Sequence, residues 1–185
     1  STLDVYGASG LISEVTPTKP STEYGKSKLI SEELVRERFH GTDVIYQIMR
    51  LGHVYGPGEE QYQKLIPETM KKIIRKEPVQ IWGTGQEQRA FIYIQDVVNA
   101  IVAAIKLNQV IDAINIAGSR RITVAELISM ILGISGSPLI PILSGAPGKD
   151  IIFDCSLRKR LLLSDEISLE DGILSEWNYM KSLQW

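Results

Sequence analysis

Tyr24 and Lys28, in the run Tyr-Gly-Lys-Ser-Lys, stand four residues apart, so on a helix a phenol and an ammonium share one face. An ammonium held beside a phenol favours the phenolate and lets the phenol act as a base near neutral pH. The chemistry this suggests is removal of a proton from an alcohol. Spacing alone is a weak signal: 7 Tyr and 11 Lys in 185 residues give about 0.4 such pairs by chance, and a solvated helix face is the plain alternative. A second stretch, VYGASGLIS, offers Gly7-x-x-Gly10 after a strand-like segment. A pyrophosphate turn needs a third close-packing glycine and a helix whose N-terminal N–H groups face the phosphate. Here the third position is Ser13, and Pro17 and Pro20 forbid a helix of useful length, so an ordinary surface loop is expected.

The helix that must carry Tyr24 and Lys28 is expected over residues 21–39, with Ser21 as N-cap and Leu29, Ile30, Leu34, Val35 and Phe39 along one face. Residues 1–6 read as a scrap of strand. DVIYQIMRL at 43–51 is apolar on both faces, which suits a buried parallel strand, and Gly52 to Gly58 end it. A helix over 63–76 follows, then short strands at 79–82 and 88–94 about the GTGQ turn, and an apolar helix over 96–107. A strand at 113–116 precedes a Thr123/Glu126 capping box that opens a helix through 132. Residues 138–147 form a Pro-interrupted connection, 156–163 a short helix, and Ser168 with Asp171 caps a last helix to about 181. Alternation of helix and strand makes the class α/β or mixed, without internal repeats.

Composition narrows the partners. The formal charge is -2, and the basic clusters, such as Lys71-Lys72 and Arg158-Lys159-Arg160, are short and lack interleaved aromatics, so neither nucleic acid nor an acidic membrane is expected. Cys155 is alone and there are two His, which leaves no internal disulfide and no closed zinc site; no metal is expected. No apolar run approaches the ~20 residues that span a bilayer. The expected location is cytoplasmic.

Six segments, in chain order, carry a more specific signal: STLDVYG, PSTEYGKSK, MRLGHVYGPGE, IWGTGQEQRAFIYIQD, INIAGS and SLEDGILSEW. Together they resemble the extended short-chain dehydrogenase/reductase family of NAD-dependent nucleotide-sugar epimerases and dehydratases. The resemblance covers nearly the whole chain and corresponds to the family's second half. It implies the C-terminal part of a Rossmann-type doubly wound parallel sheet plus a small mixed α/β substrate-binding lobe, without the N-terminal glycine-fingerprint half. Residues 1–58 would be a remnant of the dinucleotide-binding domain carrying the Tyr/Lys helix. Residues 59–185 would be mainly the substrate lobe, with segments around 90–116 returning to the main sheet.

By the same resemblance Tyr24 is the base, and Lys28 assists it and holds the nicotinamide ribose, so both also contact the cofactor. Thr2 falls where the family has a Ser or Thr bonded to the same sugar oxygen. Arg89 matches an arginine that grips substrate phosphate; a surface salt bridge is its plainer role. Asp96 matches an acidic residue whose simplest function is to cap the following helix. Asp4 stands where dehydratases and decarboxylases of the family carry Glu, and His53 where Asn often donates toward substrate. Leu3 replaces the Asp of the dTDP-glucose dehydratases, which disfavours that substrate, and Ala90 replaces the Asp common after the arginine.

The cofactor implied is NAD, with weak or no binding expected for these 185 residues alone, and the substrate a nucleotide-diphosphate sugar. The expected activity of the parent is epimerisation or dehydration, the isolated piece being inactive. The alternative is a truncated, non-catalytic paralogue serving as a binding module. Self-association is expected through the Tyr24/Lys28 helix or an open sheet edge.

Overall fold

Residues 1–162 and 165–183 are described by a computed structural model, in which short strands alternate with helices. A 3-10 turn at Leu3–Val5 leads to β1 (Gly10–Ile12), α1 (Glu23–Phe39), β2 (Gln47–Leu51) and β3 (His53–Tyr55). There follow α2 (Leu65–Ile74), β4 (Gln80–Trp82), β5 (Gln88–Tyr93), α3 (Ile94–Lys106) and β6 (Ile111–Ile116). The chain continues through β7 (Arg121–Thr123), α4 (Val124–Ser135), β8 (Ile142–Ser144), β9 (Ile151–Phe153), α5 (Ser156–Leu161) and α6 (Leu169–Ser182).

Most pairings are parallel, which requires crossover connections, and helices supply several of them. β2 lies beside β6 with Met49 opposite Ile114 and Leu51 opposite Ile116. β3 lies beside β5 with His53 opposite Phe91, β9 bridges β1 and β5, and β7 alone runs antiparallel, against β5. Ile92, Ile114 and Ile116 are wholly buried and pack with Val97 and Ala100 of α3. Each such side chain contributes about 1.5–3 kcal/mol by leaving water. A larger apolar cluster joins α2, α4 and α6 through Met70, Leu127, Ile128, Ile173 and Trp177.

The α/β class, the capping box and the order of helices agree with the sequence reading. Thr123 and Glu126 exchange both bonds of the box, and Ser168 accepts from the Asp171 N–H. Several details differ. Residues 1–6 form a 3-10 turn, with Thr2 alone bridging Leu51. β4 and β5 do not pair across the GTGQ turn: β4 pairs with β8, because Gly83 and Gly85, both at positive φ, redirect the chain. Glu87 fixes that turn by accepting from the N–H groups of Thr84 and Gly148, which pull its pKa down to about 2. His53–Tyr55 is a strand, although glycines flank it. On α1 the buried residues are Gly25 and Glu32; of the apolar stripe Leu29 packs against the cluster of Leu3, Val5 and Tyr6, while Ile30 and Leu34 are 55% and 59% exposed, so only part of the stripe is packed. Its N-cap is Thr22, not Ser21. The short helix expected over 156–163 ends at Leu161, and residue 163 lies outside the described residues.

Among the described residues no helix is long and apolar enough to cross a membrane, and no group of three or more His, Cys, Asp or Glu could hold a metal ion.

Candidate active site

Thr2 bridges the last residue of β2, and His53 follows two residues later, so both stand at the carboxyl end of β2, the end at which open α/β sheets receive ligands. Thr2 is 9% exposed, and its Oγ1 accepts from the Asp4 N–H at 3.3 Å. Asp4 is exposed at the same turn. A cavity of about 350 Å³ opens here, lined by Thr2, Asp4, His53, Glu59, Lys64, Leu65, Ile66, Arg89 and Phe91 among others. An adjoining cavity of about 230 Å³ shares Thr2, Asp4, Gly52 and His53 and runs on to Gly7, Ser21 and Thr22. On the other side, a cavity of about 370 Å³ shares Lys64, Leu65 and Arg89 and is walled by Gln80 and Trp82.

α1 is brought to this cleft by its first turn. Thr22 accepts from the Gly25 N–H at 3.0 Å, and Gly25 lets the helix touch the Asp4 backbone: a Cβ there would lie 2.8 Å from the Asp4 carbonyl oxygen. Lys28 Nζ lies 5.7 Å from the Tyr24 ring centroid, so the two side chains do share a face. Tyr24 is 54% exposed, and neither it nor Lys28 lines any of the three cavities. The structure therefore gathers Thr2, Asp4, His53 and Arg89 around one cavity, and sets Tyr24 and Lys28 together on the helix whose cap walls the next.

One turn beyond Lys28, Glu32 anchors α1 to the sheet. Its carboxylate, 2% exposed, takes both Arg50 Nε (2.9 Å) and Nη2 (2.7 Å), and also Ser1 Oγ (2.6 Å). Arg50 Nη1 continues to the Tyr6 hydroxyl, which donates to Asn115 Oδ1 at 2.7 Å. Burial alone would raise the Glu32 pKa; the Arg50 and Ser1 bonds outweigh it and leave the carboxyl below its ordinary value.

Arg89 donates to the Gln88 and Lys149 carbonyls and, among the described residues, forms no ion pair. Among the described residues its charge is spent on no carboxylate. Lys64, which the sequence reading passed over, lies beside it on the wall common to two cavities. A lysine is a poor N-cap, because the helix dipole repels it and it has no acceptor for the first N–H groups. Lys64 occupies the N-cap of α2 without a side-chain cap bond, and its ammonium turns back to the Val54 carbonyl and to Glu59 Oε2 at 3.2 Å. That mismatch between residue and position is the signal QKLIP carried.

His53 packs its ring 5.8 Å from Phe91, and its Nε2 is buried without a partner among the described residues. Burial first, and the nearby Arg89 second, push its pKa below the ordinary value, so the imidazole is neutral at pH 7. Ala90 is buried with Leu3, Val5 and Tyr6, where a carboxylate would be desolvated. Asp96 is not the cap of α3: Tyr93 occupies that position, and the buried Asp96 carboxylate accepts from the Ile167 N–H at 3.1 Å, stitching α3 to the segment before α6. Gly7 and Gly10 lead into β1 and not into a helix, which next begins at Glu23.

A parallel α/β sheet with a polar cleft at its carboxyl edge defines a Rossmann-type protein. Residues 1–117 match the family described as NAD dependent epimerase/dehydratase family, and the chain belongs to it. It is 33% identical over 190 residues to the uncharacterised UDP-glucose epimerase YtcB of Bacillus subtilis, covering 99% of this chain and 60% of that protein. A dTDP-glucose 4,6-dehydratase of Xanthomonas campestris is 26% identical over 199 residues, covering 100% of this chain and 56% of that one. Among solved structures, UDP-glucuronic acid 4-epimerase from Bacillus cereus in complex with NAD superposes with a TM-score of 0.87 at 32% identity, over 98% of this chain and 60% of that chain. The same enzyme with UDP-glucuronic acid and NAD also gives 0.87. The chain thus spans about 60% of the length of these relatives.

Proposed function

We propose that these residues form the substrate-receiving and proton-handling portion of an NAD-dependent nucleotide-sugar epimerase or dehydratase. The observation that carries this reading is the run of three adjoining cavities with two cations, Lys64 and Arg89, on the wall between the central cavity and the one beside Trp82. A diphosphate needs such a wall, because a guanidinium and an ammonium can take its two charges while the first N–H groups of α2, at Leu65 and Ile66, add donors. The cavity beyond, with Trp82 and Gln80, offers a flat apolar surface and an amide to a nucleobase. On the near side Thr2, Asp4 and His53 surround the place a sugar would occupy.

The residues present fit one end of a dinucleotide. The cavity from Thr2 to Thr22 has room for a small ring beside α1, and Lys28 and Tyr24 carry the polar groups that could hold ribose hydroxyls. NAD, when bound, would accept hydride from a sugar carbon and return it. Tyr24 is the group proposed to take the proton from the corresponding sugar hydroxyl, with Thr2 bonded to the same oxygen and Lys28 as the neighbouring cation. Asp4, which lines the same cavity, is the group proposed to move a proton at an adjoining carbon. Neutral His53 can donate from Nε2 to a sugar hydroxyl. Residues 1–58, with the β2–β6 and α3 segments, are read as belonging to the cofactor side, and the α2–α4–α6 cluster as the substrate lobe.

Thermal stabilisation by a panel of UDP, GDP, CDP and dTDP sugars tests this reading. At least one is expected to raise the melting temperature, and Arg89→Ala to weaken that ligand by about tenfold, the worth of one lost charge-assisted contact. Stabilisation by none of them at millimolar concentration would sink the reading. The 185 residues alone are expected to bind without turnover.

A further inference from the structure

Behind Lys64 lies a pair of acids that the reaction does not use. Glu59, on the segment between β3 and α2, is 8% exposed, and Glu176, on α6, is 1% exposed. The two carboxyls face each other where Glu60, next to Glu59, accepts from Tyr179, one turn beyond Glu176 on α6. Two buried carboxyls that face each other cannot both stay ionised, since their like charges repel where little water screens them. Among the described residues both oxygens of Glu176 lack any donor, so an ionised Glu176 would be a bare charge inside the protein. Glu59 differs in having a cation on its other side, with Oε2 3.2 Å from Lys64 Nζ.

We propose that Glu59 and Glu176 hold one proton between them and that this pair positions Lys64 on the cavity wall. Glu176, as a neutral acid, donates to Glu59; Glu59, as the carboxylate, holds the ammonium. The asymmetry follows from the surroundings: the proton rests on the partner with no cation, and the charge on the partner with one. Burial, then the charge of Glu59, raises the Glu176 pKa above the ordinary carboxyl range, in keeping with this arrangement.

The other groups facing the pair do not supply a second cation. Glu60, from the same segment as Glu59, accepts from the Tyr179 hydroxyl of α6 at 3.2 Å. Tyr55 of β3 packs against α6 so closely that a Cβ at Gly172 would lie 2.1 Å from its hydroxyl, and Tyr93 of β5 donates to Ser175 at 2.9 Å. α2 and α4 turn Ile66, Met70 and Leu127 toward the same region; α2's Glu68 and Lys71 pair with each other, and α4's Glu126 is taken by its capping box. Removing the shared proton would leave two adjacent buried carboxylates, and their repulsion would drive the Glu59 segment, with Lys64, off the wall. The last helix thereby sets the strength of anion binding at a site it does not line.

This inference rests on the diphosphate reading of the cleft, and two measurements separate them. The carboxyl carbons of 13C-labelled Glu are followed by NMR from pH 5 to 10, and UDP-glucose binding is measured by calorimetry over the same range. One Glu carbon is expected to stay in its protonated position through neutral pH and titrate in the alkaline range, and to be missing from Glu176→Gln. UDP-glucose affinity is expected to fall by about tenfold across that titration, the worth of one charge-assisted contact, and to stay within about twofold in Glu176→Gln, whose amide donates at every pH. Ionisation of the uracil acts alike on both proteins, so the difference between them is the readout. Lys64→Met is expected to bind weakly at pH 7 and to show no alkaline loss. Every Glu carbon titrating in the ordinary acid range, or an equal alkaline loss in wild type and Glu176→Gln, would overturn the proposal. Absence of UDP-glucose binding at pH 7 would instead count against the UDP-sugar reading, and the carbon titration would still decide the shared proton.

Discussion

His53 shows how much one side chain's chemistry depends on what covers it. Burial beside Phe91, and then the Arg89 charge, lower its pKa below 6.5. A base with a depressed folded value contributes stability that is fully present above 6.5 and is lost as pH falls through that lower value, because folding must then bury a charge or hold it neutral at a cost. His53→Asn is therefore expected to lose less stability than the wild type between pH 7 and pH 5, measured as the difference in melting temperature. A larger acid loss in the variant would show that the imidazole is not held neutral. Arg89 and Lys64 make the complementary point: both are cations whose protein partners leave room for an anion, and neither role could be read from residue type alone.

At the scale of elements, α1 carries the contrast between pattern and packing. Its Leu/Ile/Val stripe suggests a buried apolar face, yet Ile30 and Leu34 stand in solvent, and the helix is held by Leu29, an ion pair and a glycine. Replacing a helical glycine by alanine ordinarily stabilises by about 0.5–1 kcal/mol. At Gly25 the added Cβ would meet the Asp4 carbonyl oxygen at 2.8 Å and Pro20 Cβ at 3.0 Å, so the sign reverses. Gly25→Ala is expected to cost about 1–3 kcal/mol in urea unfolding, as overpacking does. It is also expected to weaken nucleotide-sugar binding, since Thr2 and Asp4 sit on the displaced turn. A stabilised variant would mean that the turn yields freely. Glu32 and Arg50 set the rotation of the same helix, and hence the face that Tyr24 and Lys28 present.

For the whole molecule, the exposed apolar side chains raise the question of association. Ile30 and Leu34 stand out from α1 on the helix that bears Tyr24, and Ile101 and Ile105 of α3 are also exposed. Burying two such side chains on each of two copies removes enough apolar surface to favour pairing by several kcal/mol before the cost of immobilisation, by about 25 cal/mol per Å². The chain is expected to show a concentration-dependent mass by light scattering, and Ile30→Glu with Leu34→Glu to return it to the monomer. A monomer at all concentrations in the wild type would remove α1 as a contact.

What the sequence determined by itself were the quantities that local rules set. The capping box at Thr123, the alternation of helix and strand, and the four-residue spacing of Tyr24 and Lys28 follow from backbone geometry and short-range hydrogen bonds. Six ordered motifs pointed to the family that the comparisons then showed. The sequence could not say that β4 leaves β5 for β8, that Asp96 reaches Ile167 and not its own helix end, or that Glu32 is buried and Ile30 is not. Nor could it place Lys64 beside Arg89, or Glu59 against Glu176, which are 117 residues apart. Burial, desolvation and charge pairing depend on which distant segments close over a residue, and only the tertiary structure brings those segments together.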